Sequence, residues 1–138
     1  MKETVAFQMM VLYRDFLAYT TGELKKLGLS FGLMPLVLYI GKHPRCSQAD
    51  LTRMLRLDWG YSQRSIKKLV EVGLIRKEYD DGHACNCLTL TEAGEKVFDA
   101  SHNVFASWDQ LHTTGLSPEE RDTLLRLLTR LTNDLKES

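Results

Sequence analysis

Apolar residues in this chain follow helical spacing over most of its length and change to alternation once. From about Thr4 to Lys26, the residues Val5, Met9, Leu12, Phe16 and Tyr19 recur at steps of four and three. That is a narrow, heptad-like seam, which suits packing on another helix better than packing on a sheet. After Gly28 the run LSFGLMPLVLYIGKH is almost continuously apolar and predicts a buried helix. Two starts are open: Ser30 as a cap with Pro35 inside, or a start near Met34 with Pro35 in the first turn. The His43-Pro44 step ends it, because a residue before proline is pushed out of helical geometry.

The pattern is most informative between Ser47 and Thr91. Ser47, with Asp50 three positions on, marks the start of a short helix running to about Leu55, with Leu51, Met54 and Leu55 buried and Gln48 and Arg53 outside. Arg56 to Asp58 forms a turn, and Asp58 caps a second helix whose apolar positions are Ile66, Leu69, Val70 and Val72 and whose stop is Gly73. Alternation then takes over in two strands, Leu74 to Tyr79 and Ala84 to Leu90, folded around Asp81-Gly82. It places Leu88 and Leu90 on the buried face and Cys85, Cys87 and Thr89 on the other. Helix, turn, helix and hairpin are the outline of a winged helix-turn-helix.

Beyond Thr91, a candidate cap, a long helix is predicted to about His112 with Ala93, Val97, Ala100, Val104, Trp108 and Leu111 as a second seam. A final helix opens with Ser117 as cap, Pro118 at its first position and Glu120 closing a capping box, and carries the stripe Leu124, Leu127, Leu128, Leu131 and Leu135. The fold class is therefore mainly α with a small β-hairpin wing.

Composition supports one domain: 138 residues, 43% apolar and 26% charged, are enough to bury a core. No apolar run approaches the roughly 20 residues that cross a bilayer, and the opening MKETVAFQMMVLYRDF carries charges through its apolar stretch, so neither membrane association nor a signal peptide is expected. Three cysteines at low density suit a reducing cytoplasm.

Net charge is zero, yet its distribution is uneven. Lys42 to Lys77 holds nine basic residues against Asp50, Asp58 and Glu71, a surplus of six that the rest of the chain offsets. A basic middle between acidic ends suits a polyanionic partner. The second helix concentrates this chemistry. Opposite its apolar positions lie Tyr61, Gln63, Arg64, Lys67 and Lys68, and in a DNA major groove Arg pairs with guanine, Gln with adenine and Lys with phosphate. Ser47 and the first amides of the preceding helix suit a phosphate, with Gln48 beside them. No Gly-rich phosphate loop, zincin helix, nucleophile elbow or paired carboxylates occur, so neither enzymatic activity nor a cofactor is expected.

With SQADLTRML, KKLVEVGLIRK and LTLTEAG in this order and spacing, the chain resembles the MarR family of transcriptional regulators over essentially its whole length. The resemblance implies one MarR-like domain: a DNA-binding lobe over about 30–91, and dimerisation helices over about 4–27 and 92–136. It implies a homodimer on a pseudo-palindromic double-stranded operator, with Tyr61, Gln63, Arg64 and Lys67 or Lys68 in the major groove. Release by a small aromatic ligand is a further implication, and Phe7, Tyr13, Phe16, Tyr39, Trp108 and His112 are the side chains that would line its pocket.

One departure from the family concerns the wing. Its tip reads DDGHACN and lacks the arginine that relatives send into the minor groove, leaving His83 or Asn86 as substitutes and Arg76 and Lys77 for phosphates at its base. Base recognition should therefore lean on the helix. His83, Cys85 and Cys87 alternate along one strand face, but same-face neighbours lie about 7 Å apart, too far for easy shared chelation. They are read as ordinary wing residues, and no metal is assigned. A thiol- or metal-responsive sensor and a winged-helix protein-interaction module are the alternatives.

Overall fold

A computed structural model describes residues 3–79 and 86–137. Within them the order is α1 (Val5–Lys26), α2 (Met34–Lys42), β1 (Cys46–Ser47), α3 (Gln48–Met54), α4 (Trp59–Glu71), β2 (Ile75–Tyr79), β3 (Asn86–Leu90), α5 (Glu92–His112) and α6 (Pro118–Glu137). The expected mainly helical winged helix-turn-helix is what forms. The Asp81-Gly82 turn, His83 and Cys85 lie outside the described residues.

Local chemistry sets the helix ends. Thr4 Oγ1 accepts from the Phe7 amide at 3.0 Å to open α1, and Gly28, at φ 72°, closes it. There the Gly28 amide donates to Lys25 O at 3.1 Å and the Leu29 amide to Leu24 O at 3.1 Å, the paired closure that a left-handed residue permits. Gly73 at φ 80° ends α4 in the same way, through Leu74 N–H to Leu69 O at 3.0 Å. At α3 the left-handed position falls to an arginine, Arg56 at φ 55°, and Leu57 N–H reaches Thr52 O at 2.9 Å. A non-glycine residue there costs about 1–2 kcal/mol. The α3–α4 turn thus holds its geometry against a local penalty. Of the two starts open for α2, the structure takes the later: Met34 begins the helix with Pro35 in its first turn, where the missing amide would have no partner anyway.

Three strands pair antiparallel in the order β1-β3-β2, with Cys46 opposite Leu88, Ser47 opposite Cys87, Glu78 opposite Cys87 and Ile75 opposite Leu90. Strand β1 was not predicted: two residues are too few to show alternation. Its presence makes β3 the central strand. Leu88 is fully buried as expected, and Cys87, expected on the open face, is buried as well because it is flanked on both sides.

The core joins Leu24, Leu29, Met34, Leu36, Val37, Ile40, Cys46, Leu51, Ile66, Leu69, Ile75 and Leu88. Burying each leucine or isoleucine contributes about 1.5–3 kcal/mol. Met54, Val70 and Val72, expected on inward faces, are instead exposed, and so are Ala93 and Leu111 of the second seam in α5. The reason is that small polar residues take the inward positions. Helix α4 buries Ser62, Ser65, Ile66 and Leu69, and α5 buries Gly94, Ser101 and Val104, so each inward face is rotated from the one apolar spacing suggested. Most of the α1 seam is also uncovered, with Val5, Met9 and Leu12 exposed and Thr20 and Leu24 buried.

The chain divides into two compact units, Met1–Phe105 and Ala106–Ser138. In the second, Ser117 N–H donates to Glu120 Oε1 at 2.9 Å and Glu120 N–H to Ser117 Oγ at 3.1 Å, the predicted capping box. Leu124, Leu127, Leu128, Leu131 and Leu135 follow, all exposed. No helix among the described residues is long and apolar enough to cross a membrane.

Candidate nucleic-acid interface

Helix α4 separates two chemistries cleanly. Its buried stripe docks on α3 through a hydroxyl pair, Ser62 Oγ to Thr52 Oγ1 at 2.6 Å, and Thr52 Oγ1 donates back to Gln48 O at 2.6 Å. A serine at 62 lets the two helices approach more closely than a branched side chain would. Gln63, Arg64, Lys67 and Lys68 are all exposed on the remaining surface, with Tyr61 at its edge. Asp58 Oδ2 accepts from the Tyr61 amide at 3.1 Å to fix the start. Gly60 has a local reason as well: the Arg64 guanidinium lies over it, 3.1 Å from where a Cβ would stand.

Two predicted contacts sit differently from expectation. The Tyr61 hydroxyl donates to Gly32 O at 3.3 Å, tying the first turn of α4 to the segment before α2. Gln48, expected outside, is only 8% exposed, while Ala49 beside it is exposed. Its Nε2 finds no hydrogen-bond partner among the described residues. Ser47 behaves as read, accepting from the Asp50 amide at 3.0 Å.

Arg76 and Lys77 are exposed on β2, and by register Arg76 shares the outer sheet face with Glu78, Cys87 and Ser47. Arg45, just before β1 and held at φ 66°, joins that face: its Nη1 meets Glu78 Oε2 at 3.0 Å and its Nη2 lies 3.8 Å from Cys87 Sγ. Arg76 Nε approaches the other oxygen of Glu78 at 3.6 Å. Sequence reading missed Arg45 as a member of this cluster because its place depends on the β1–β3 pairing. It also passed over Trp59, which stands 49% exposed on the first turn of α4.

The predicted pocket aromatics belong partly to each unit. In the first unit Phe16 contacts Phe31 and Phe105 at centroid distances of 6.1 and 5.6 Å, Tyr39 stacks on His43 at 4.4 Å, and Phe7 and Tyr13 are exposed. In the second, Trp108 lies 4.6 Å from His112. A groove of about 440 Å³ is lined by Leu116, Glu119, Glu120, Thr123, Leu124 and Leu127, none of them in the predicted set.

Comparison with known proteins agrees with this architecture. The MarR family model matches residues 27–84. The HTH-type transcriptional regulator BilQ of Clostridium symbiosum (strain WAL-14163) is 39% identical over 132 residues, covering 95% of this chain and 92% of that one. The chain belongs to the MarR family. In fold, this MarR-family chain is similar to the crystal structure of the transcriptional regulator SlyA, with a TM-score of 0.86 and 22% identity over 98% of this chain and 96% of that one. It is also similar to a MarR-family transcriptional regulator from Listeria monocytogenes complexed with 26mer DNA, with a TM-score of 0.85 and 20% identity over 99% of this chain and 91% of that one.

Within this MarR-family fold the described cysteines are poor candidates for chemistry. Cys46 is buried on the core face of β1, and desolvation pushes its thiol up to about 11, so the nucleophilic thiolate is scarce near neutrality. Cys87 is buried beneath Arg45. No group of three His, Cys, Asp or Glu side chains that could hold a metal ion occurs among the described residues.

Proposed function

We propose that this MarR-family protein is a cytoplasmic, homodimeric repressor that reads a pseudo-palindromic operator through α4 and releases it when a small aromatic ligand binds. The observation that carries the DNA reading is the division of α4: a buried stripe of Ser62, Ser65, Ile66 and Leu69 behind an exposed surface of Gln63, Arg64, Lys67 and Lys68. Arg64 offers paired donors for the guanine edge, Gln63 a donor and an acceptor for the adenine edge, and the lysines suit the flanking phosphates. Ser47, Arg76 and Lys77 extend the footprint along the backbone, and His83 is assigned to the wing. Gln48 is better suited to supporting Thr52 and Ser62 from below than to touching DNA, since little of it is exposed. Phe16, with Phe31 and Phe105 around it, is the best-supported member of the ligand set, and Phe7, Tyr13, Tyr39, Trp108 and His112 complete the proposal.

Selection of bound genomic fragments at low salt, followed by affinity measurements at rising salt, tests this reading. A repressor of this kind enriches a palindromic site, and its log affinity falls linearly with log salt at about 0.9 per phosphate contacted. An interaction module for an acidic protein enriches no fragment at all. That outcome would remove the operator-binding assignment.

A further inference from the structure

The clamp on the outer sheet face has a direct bearing on DNA discrimination. Ser47, Cys87 and Glu78 form a row across β1, β3 and β2, so a carboxylate stands two strands, roughly 10 Å, from a serine assigned to a backbone phosphate. A carboxylate so placed repels DNA unless cations hold it. Two do: Arg45 Nη1 at 3.0 Å from one oxygen and Arg76 Nε at 3.6 Å from the other. Arg45 is fixed to the sheet, its amide donating to Leu88 O at 3.0 Å from a left-handed backbone position. All three side chains are substantially exposed, with 50% of Arg45, 39% of Glu78 and 61% of Arg76 accessible. Exposed ion pairs of this kind are weak and screened by salt. A phosphate reaching the same face therefore competes with Glu78 on fairly even terms for both guanidiniums.

We propose that Glu78 is a specificity-determining residue, an internal stand-in for phosphate that occupies Arg45 and Arg76 until a correctly docked operator displaces it. This rests on the DNA-binding reading of the chain. A loosely held, non-specific duplex gains no contact from the two arginines, because it must first break the clamp. An operator anchored by α4 delivers its phosphate at high local concentration and breaks it. Glu78 thus lowers affinity for DNA of any sequence more than it lowers affinity for the operator.

The test measures affinity for operator and for random duplex between about 50 and about 200 mM salt, with wild type, Glu78→Gln, Glu78→Gln/Arg45→Gln, and the charge-matched control Asp99→Asn on the exposed side of α5. Each extra phosphate contact raises the affinity ratio across that range by about 3.5-fold. Glu78→Gln should gain one or two such factors on random duplex, narrow the operator-to-random ratio, and leave the thermal melting of the protein near wild type. Adding Arg45→Gln should take one factor back, and Asp99→Asn should gain none. An unchanged salt slope in Glu78→Gln, or an equal change in Asp99→Asn, overturns the role of Glu78 while leaving the regulator reading intact. Wild type that binds no duplex even at about 50 mM salt overturns both.

Discussion

Single residues decide where the elements meet. At Gly94, in the first turn of α5, a Cβ would collide with the Leu74 carbonyl, the same oxygen that accepts from the Thr91 amide at 3.0 Å. Thr91 Oγ1 meanwhile donates to Gly73 O at 2.5 Å and accepts from Gly94 N–H at 3.0 Å, so the end of α4 and the start of α5 share one hydrogen-bonded junction. Gly94→Ala removes the room this junction needs. In a solvated helix the change would be favourable by about 0.5–1 kcal/mol. Here it is expected to destabilise the fold by about 1–3 kcal/mol, as overpacked sites do, and to lower the urea midpoint without altering the slope of the transition. A midpoint at or above that of wild type would show that the junction yields freely. The LTLTEAG segment carries this glycine on its face in the sequence, but nothing in the sequence tells that the contact is backbone on backbone.

At the scale of elements, legibility followed the density of local signals. Helix starts at Thr4, Ser47, Asp58 and Ser117 were readable because each cap is a side-chain oxygen reaching an amide three residues on. The strand at Cys46–Ser47 was not, since its existence depends on pairing with Leu88 and Cys87 some forty residues later. The same holds for Glu78 and Arg45, brought together only through β3, whereas Arg76 lies two residues from Glu78 on the same strand. The inward face of α5 was not legible where Gly94 and Ser101 stand in place of aliphatic residues, because apolar periodicity does not register a close contact made by small side chains. The surface of α4 was nonetheless legible, and the balance between helix and wing is a prediction of that element. Arg64→Ala should cost about 1–3 kcal/mol in operator binding and relax preference at one base pair, whereas Lys67→Ala should weaken all sequences alike. Charge-neutral changes at His83 and Asn86 should cost less than Arg64→Ala. Competition titrations against a panel of single-base operator variants decide it, and a larger loss from the wing changes would transfer base recognition to the hairpin.

For the molecule as a whole, the uncovered apolar surface is the outstanding physical fact. Along α6, Leu124, Leu127, Leu128, Leu131 and Leu135 are exposed, from 38% at Leu128 to 61% at Leu135, and on α1 Val5, Phe7, Met9, Leu12 and Tyr13 are exposed too. Leaving such stripes in water forgoes about 25 cal/mol for every Å² that a partner would cover. An exposed apolar stripe of this kind on a helix is an association surface or an aggregation hazard. Heptad-like spacing in α1 and the leucine stripe of α6 both suit a second copy of the same helices, and obligate homodimer interfaces of about 2,000 Å² or more are apolar in this way. Wild type should therefore sediment as a dimer at micromolar concentration with no concentration-dependent monomer. Leu128→Glu combined with Leu131→Glu places two carboxylates in the seam and should shift the species to a monomer. If the proposed two-fold operator is bound by both lobes at once, the same variant should lose most of its operator affinity while each lobe keeps its salt-dependent half-site binding. A wild-type monomer in sedimentation velocity, or full operator affinity in the double variant, would detach the leucine stripe from dimerisation and leave it to another partner.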